Sequence, residues 1–231
     1  MRLTLLDGLP ELGIALTDAQ IDTLCAYGAA MLEKNQVMNL TAITDPQEVA
    51  RLHYLDSLTL LRCADFFDGA RVIDVGCGAG LPGVPLKIAA PGIRLTLLDS
   101  LGKRMDWLRE ILPALGVDAE VVTARAEEAV FDRREAYDLA VSRAVARLNI
   151  LCELCLPYVS VGGRFLAMKG QRLDEELDEA ESAVEALGGR LLSVEDFPMG
   201  DAIHRVAVIE KVSPTPGRYP RRYSKIKAEP L

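Results

Sequence analysis

Residues 71–83 place three glycines, Gly76, Gly78 and Gly80, within five positions, directly after the short apolar run Val72-Ile73-Asp74-Val75. Glycine lets a backbone turn sharply and come close to a ligand. One such residue would be an ordinary tight turn. Three at this spacing point to a ligand-facing loop. Further along, Asp99 closes the run Leu95-Thr96-Leu97-Leu98, and its carboxylate can accept both hydroxyls of a ribose. Ala126-Glu127 combine a backbone N–H with a carboxylate, a pair able to read an adenine edge. Arg143 can hold a carboxylate or a phosphate bidentately, or serve as one half of a structural ion pair. Lys169 is a phosphate contact or a snorkelling surface lysine. His53 and Asp56 are three apart on one helix face, as a structural hydrogen bond or a catalytic pair.

These groups need elements to position them. Thr17-Asp18-Ala19-Gln20 is a capping-box pattern, followed by apolar residues at helical spacing from Ile21 to Leu32. Asp45-Pro46 opens a second helix that runs to about Arg62 and carries His53 and Asp56. Between them Asn39-Leu40-Thr41 lies in a loop. From residue 71 strands alternate with helices. Strands are expected at 71–75, 93–98, 119–122, 137–142, 161–168, 190–197 and 203–210, and helices at about 83–90, 102–114, 125–130, 147–157 and 171–187. Pro82 suits a first helical turn. This alternation implies an α/β fold with a parallel sheet covered on both faces. Only Pro198-Met199-Gly200-Asp201 separates the last two strands, so they should pair antiparallel. Five βα units closed by a hairpin make a Rossmann-like, seven-stranded S-adenosylmethionine-dependent methyltransferase fold. In such sheets ligands sit beyond the carboxyl ends of the strands, where the loop, Asp99, Glu127, Arg143 and Lys169 would gather.

The glycine frame separates two cofactors. Gly78-Ala79-Gly80-Leu81-Pro82-Gly83 matches the dinucleotide fingerprint but begins two residues late. In the frame that starts at Gly76, position 81 is leucine and the pyrophosphate pattern fails. A methionine-based cofactor has no pyrophosphate and fits better.

Composition bounds the rest. The chain has 231 residues, half of them hydrophobic, and a net charge of −8. That balance argues against indiscriminate nucleic-acid coating. The charge is uneven, since residues 211–231 hold six Lys/Arg against one Glu. With Tyr219 and Tyr223 interleaved, that tail can hold phosphate and stack a base, or it is simply a solvated tail. Five scattered cysteines do not make a disulfide framework, and Cys152-x-x-Cys155 within an apolar run reads as buried structural thiols. No metal site is expected. There is no apolar stretch of membrane-spanning length, and Met1–Gly13 carries no signal-peptide pattern. The expectation is a cytoplasmic protein with no membrane partner, and a monomer.

Taken together, the motifs resemble the small-subunit ribosomal RNA methyltransferase G family, also called glucose-inhibited division protein B. The resemblance rests on Asn39-Leu40-Thr41, His53-x-x-Asp56-Ser57, Asp74 to Gly83, Leu97-Leu98-Asp99-Ser100 with Lys103-Arg104, Arg125-Ala126-Glu127, Ser142-Arg143-Ala144 and Lys169-Gly170. It implies methyl transfer from S-adenosylmethionine to N7 of one guanine in 16S rRNA, with the rRNA or the small subunit as partner. It implies cofactor contacts at Gly76, Leu81, Ala126, Glu127 and Arg143, beside Gly78 and Asp99, and a catalytic place for Arg143. Asn39, His53, Lys169, Arg221 and Arg222 are placed on the substrate side. Cys77 stands where many relatives have serine or threonine. The implied organisation is a helical extension over 1–65, a methyltransferase domain over 66–212 and a basic tail over 213–231. The chemistry agrees: guanine N7 carries a free lone pair, so its attack on a methyl sulfonium needs alignment and desolvation rather than a general base. Strand four accordingly lacks the Asn/Asp-Pro-Pro-aromatic motif used on exocyclic amines. N7 lies in a groove too deep and narrow for side chains in A-form RNA, so the target base should sit in a loop or be extruded.

Overall fold

Thr17 caps the first strongly patterned helix through the reciprocal bonds its sequence predicts. Gln20 N donates to Thr17 Oγ1 at 3.3 Å, and Thr17 N donates to Gln20 Oε1 at 2.9 Å. In the computed structural model, which describes residues 1–143, 146–200 and 202–231, this helix is α2 (Asp18–Asn35). It is preceded by α1 (Arg2–Glu11), which sequence reasoning did not anticipate. Gly8 and Pro10 weaken its helical signal. Leu5 and Leu9, four apart and buried, hold it to the core. Asp45 accepts bonds from Gln47 N and Glu48 N, both at 2.9 Å, and starts the expected second helical stretch. That stretch is composite: α3 (Pro46–Glu48), a π-helical segment (Val49–Leu55), α4 (Asp56–Leu58) and a 3-10 turn (Thr59–Arg62). A π segment widens the helix and re-aims its side chains, and such segments are frequent at functional sites.

The sheet elements follow as β1 (Arg71–Val75), α5 (Gly83–Ala89), β2 (Arg94–Asp99), α6 (Gly102–Ala114), β3 (Glu120–Thr123), α7 (Ala126–Ala129), β4 (Tyr137–Arg143), α8 (Leu148–Cys155), β5 (Val159–Lys169), α9 (Leu173–Ala186), β6 (Gly189–Met199) and β7 (Ala202–Lys211). The chain ends in a short helix, α10 (Tyr223–Ala228). The strands form one sheet in the order β3-β2-β1-β4-β5-β7-β6. β1 to β5 are parallel, and β7 runs antiparallel to both β5 and β6. The order reverses at β1, so the crevice beside β1 and β4 is the topological switch point. Helix α5 starts at Gly83, as expected, with Pro82 as its cap residue.

Successive side chains of a strand face opposite ways. Val72 therefore joins one buried cluster, with Leu24, Tyr27, Leu97, Leu108 and Val208, while Ile73 joins the other, with Cys155, Phe165, Ala167 and Ile209. The N-terminal helices add Leu5, Leu9 and Tyr27 to the first cluster. The C-terminal segment adds Tyr219 and Ile226 to the second. Extension and tail thus share the core of the sheet domain. Among the described residues no helix is long and apolar enough to cross a membrane.

Candidate active site

The loop after β1 is shaped by its glycines. Gly76, Gly78 and Gly80 have φ of +76°, +56° and +81°, the left-handed region that a Cβ disfavours. At Gly80 space is short as well, since a Cβ there would lie 2.6 Å from Val84 Cγ2 and 2.7 Å from the Tyr27 hydroxyl. That hydroxyl donates to Ala79 O, so α2 clamps the loop from outside the sheet. Asp99 braces it from β2: its Oδ2 accepts from Gly78 N at 2.9 Å and its Oδ1 from Leu101 N at 2.8 Å. Each carboxylate oxygen has two lone pairs, so Asp99 keeps acceptor capacity after both bonds. Gly76, Asp99, Ala126 and Glu127 line a single cleft, together with Val75, Leu98, Ser100, Arg125, Leu154 and Tyr223. Gly78 and Leu81 belong to the loop but not to the wall of that cleft.

Beneath the loop, Asp74 is fully buried. Its Oδ2 accepts from Gly83 N, the first residue of α5, at 2.7 Å. The helix end that would hold a pyrophosphate is therefore taken by the protein's own carboxylate. Oδ1 of Asp74 has no hydrogen-bond partner among the described residues, and burial pushes this acid up to about 7. Cys77 is also buried, its thiol against Met105 Sδ and pushed well up by burial. It offers the loop neither a hydroxyl nor a thiolate. Burial likewise pushes Cys152 up to about 12 and Cys155 upward, in keeping with structural thiols.

A second constellation lies at the end of β4. Arg143 Nη1 donates to Leu52 O at 3.2 Å and to Asp56 Oδ2 at 3.3 Å, and its Nη2 is 3.3 Å from His53 Nδ1. Asp56 is buried, and its other oxygen is 2.6 Å from His204 Nδ1 on β7. Thr41 Oγ1 lies 2.7 Å from His53 Nε2. Burial, reinforced by Arg143, lowers His53 to about 4, so its imidazole is neutral at neutral pH. The hydrogen bond to Asp56 raises His204. Sequence reasoning named His53, Asp56 and Arg143 but missed His204. The signal was two-residue parity: His204 shares a face with Val206 and Val208, the face covered by the N-terminal helices.

The remaining candidates are placed differently. Asn39 is exposed, and its backbone oxygen accepts from Arg104 Nη2 at 2.8 Å. Lys169 is not a free phosphate contact: its buried Nζ donates to Ala146 O and, at 2.7 Å, to Glu176 Oε2. Arg221 is not solvated either, because its Nη2 meets the buried carboxylate of Glu153 at 2.6 Å. Arg222 is exposed, at the cap of α10. The Ser142-Arg143-Ala144 motif runs past the described residues at Ala144. Among the described residues no group of His, Cys, Asp and Glu could hold a metal ion.

Residues 20–203 match the family model described as rRNA small subunit methyltransferase G. The chain belongs to that family. It is 48% identical over 231 residues to the Ribosomal RNA small subunit methyltransferase G of Alkaliphilus oremlandii, covering 97% of this chain and 96% of the relative. The protein of that name from Pelotomaculum thermopropionicum is 44% identical over 99% of this chain and 98% of its own length. Solved structures with the same fold include TrmN from Thermus thermophilus, with a TM-score of 0.56, 24% identity and coverage of 68% of this chain and 48% of that one. TYW2 of M. jannaschii in complex with AdoMet gives 0.55, 11% identity and coverage of 68% and 77%. Membership makes the chain an S-adenosylmethionine-dependent methyltransferase of small-subunit ribosomal RNA. The cleft suits that cofactor. It has Gly76, without a side chain, for close approach of the backbone, and the carboxylates of Asp99 and Glu127 for hydroxyl and amino groups.

Proposed function

We propose that the enzyme methylates N7 of one guanine in 16S rRNA, and that the cleft between the glycine loop, Asp99 and Glu127 seats the methyl donor. S-Adenosylmethionine supplies an electrophilic methyl on a sulfonium. The chain's residues then have three tasks: to hold the donor, to hold the base in line, and to keep water out. Gly76, Gly78 and Leu81 shape the loop for the donor, Asp99 accepts from its ribose, and Ala126 and Glu127 face its adenine. The observation that carries the N7 reading is that no described residue at the end of β4 is a free base: the Asp56 oxygens are taken by Arg143 and His204, and the ring nitrogens of His53 lie against Arg143 and Thr41. Arg143 stands there, tied to Asp56. The nearby His53 lies against it, with its imidazole oriented by Thr41 and Arg143. A nucleophile that already has a lone pair needs no proton removed.

Nε of Arg143 forms no hydrogen bond among the described residues, so an edge of the guanidinium is left for a carboxylate or a phosphate. Asn39, beside Arg104 and the glycine loop, and the exposed Arg222 are the substrate-side candidates. Lys169 and Arg221 act instead through the fold that they hold. The substrate reading goes with an enzyme of the cytoplasm that acts on rRNA or on the assembling small subunit. The test uses labelled cofactor and small subunits from a strain lacking the enzyme. Label in 16S rRNA, with borohydride–aniline cleavage at one guanine, is the expected result. Label without such cleavage overturns the N7 assignment. Arg143→Ala should lower kcat/KM by at least tenfold, and unchanged transfer in that variant removes its role.

A further inference from the structure

The C-terminal segment was expected to be a phosphate-binding or solvated tail, and it lies beyond residues 20–203 that match the family model. In the structure it folds back onto the domain and reaches the cofactor cleft. Its anchor is Arg221, whose backbone N and Nε donate to Glu153 Oε1 at 2.7 and 2.8 Å and whose Nη2 donates to Oε2 at 2.6 Å. Glu153 is fully buried, so this ion pair is shielded from screening. Arg134 donates to Tyr219 O, Tyr219 is buried, and Ile226 is buried in the core cluster beneath the sheet. Leu154, next to Glu153, lines the cleft, and so does Tyr223 at the start of α10. The guanidinium carbon of Arg125 lies 5.6 Å from the centre of the Tyr223 ring.

We infer that Tyr223 is a cofactor-specificity residue, and that the C-terminal segment supplies the aromatic wall of the purine subsite. This inference rests on the cleft being the methyl-donor site. Ala124 to Glu127 line the same cleft as Tyr223, and this is the side assigned to the adenine. An aromatic ring backed by a cation offers a π-face to a base, and stacking of this kind is tolerant of detail but sensitive to loss of the ring. The buried Arg221–Glu153 pair holds the ring in place. The six basic residues of the segment are thus not one RNA-binding arm, because Arg221 faces inward and its neighbours shape the donor site.

The test measures binding of S-adenosylhomocysteine and of S-ribosylhomocysteine, which lacks the base, to the full-length enzyme by calorimetry. Tyr223→Ala should weaken S-adenosylhomocysteine about tenfold and leave S-ribosylhomocysteine unchanged, whereas Tyr223→Phe should bind both normally. At saturating methyl donor, KM for the small subunit should stay the same. Equal weakening of both ligands by Tyr223→Ala would mark a merely structural role and overturn the inference. Unchanged cofactor binding with a raised KM for the subunit would overturn it too, in favour of an RNA-binding tail. Asp99→Ala separates this failure from that of the cleft reading. If it weakens S-adenosylhomocysteine while Tyr223→Ala does not, only the inference about the tail falls. If neither variant weakens binding, the cleft reading falls and takes the inference with it.

Discussion

Two neighbouring glycines in the loop illustrate how local geometry sets the cost of a side chain. Gly78 and Gly80 both have positive φ, but an added Cβ meets nothing closer than 3.7 Å at Gly78, against 2.6 Å at Gly80. Gly78→Ala should cost about 1 kcal/mol, the strain of the backbone alone. Gly80→Ala should cost roughly 3 kcal/mol or more, because strain and overpacking add. Denaturant midpoints of the two variants check the order. The histidines carry opposite signs. His53 falls to about 4 in the folded state from 6.5, so between those values the unfolded chain binds more protons and stability is lost as pH falls. His204 is raised by Asp56, so its contribution is present at low pH and lost as pH rises above 6.5 through its folded value. Asp74, raised to about 7 from 3.8, opposes His53 over the whole of that window. The difference between variant and parent is therefore the quantity to read. Urea midpoints measured from pH 4.5 to 8 should show His53→Gln flattening the acid side and His204→Gln the alkaline side. The sequence motif carried His53, Asp56 and Arg143, but not that His204, distant in the chain, shares Asp56 with them.

At the scale of elements, capping and periodicity act over a few residues, and the elements they specify are found where they were expected. The capping box at Thr17, the cap at Asp45 and all seven strands are of this kind. The misses are elements whose stability comes from packing. α1 contains Gly8 and Pro10 yet folds, because Leu5 and Leu9 enter the core. The C-terminal segment is polar and basic yet docks, because Glu153 is buried with no other cation opposite it among the described residues. Removing one member of a buried ion pair strands the other. Arg221→Ala should therefore destabilise the protein by about 3 kcal/mol, whereas Arg222→Ala, at an exposed position, should change stability by less than about 0.5 kcal/mol. Thermal unfolding of the two single variants checks this. Equal effects would mean that the tail is not anchored through Glu153.

At the scale of the molecule, ligand binding and folding are linked. A ligand that binds only the folded state, at a hundred times its Kd, adds about 2.7 kcal/mol and should raise Tm by roughly 5–10 °C for a chain of this size. S-Adenosylhomocysteine should produce that shift and NAD should not, since the α5 terminus is closed by Asp74. Asp99→Ala should abolish the shift. A shift with NAD alone would reverse the assignment. The net charge of −8 belongs to this scale as well. It disfavours indiscriminate RNA binding and leaves recognition to a few exposed cations near the cleft.

Residue type and spacing alone determined the sheet, its terminal hairpin, the glycine loop and the acid after β2, because each depends on neighbours in the chain: apolar period, turn chemistry and the conformations open to glycine. Only the tertiary structure decided which charges are free. Lys169, Arg221 and Arg143 look equally available in the sequence, but their partners, Glu176, Glu153 and Asp56, come from other elements. Only the fold could place Tyr223 against the cleft opened by Gly76, far away in sequence. A buried carboxylate draws in whichever cation the topology brings within reach, and no local pattern records that choice.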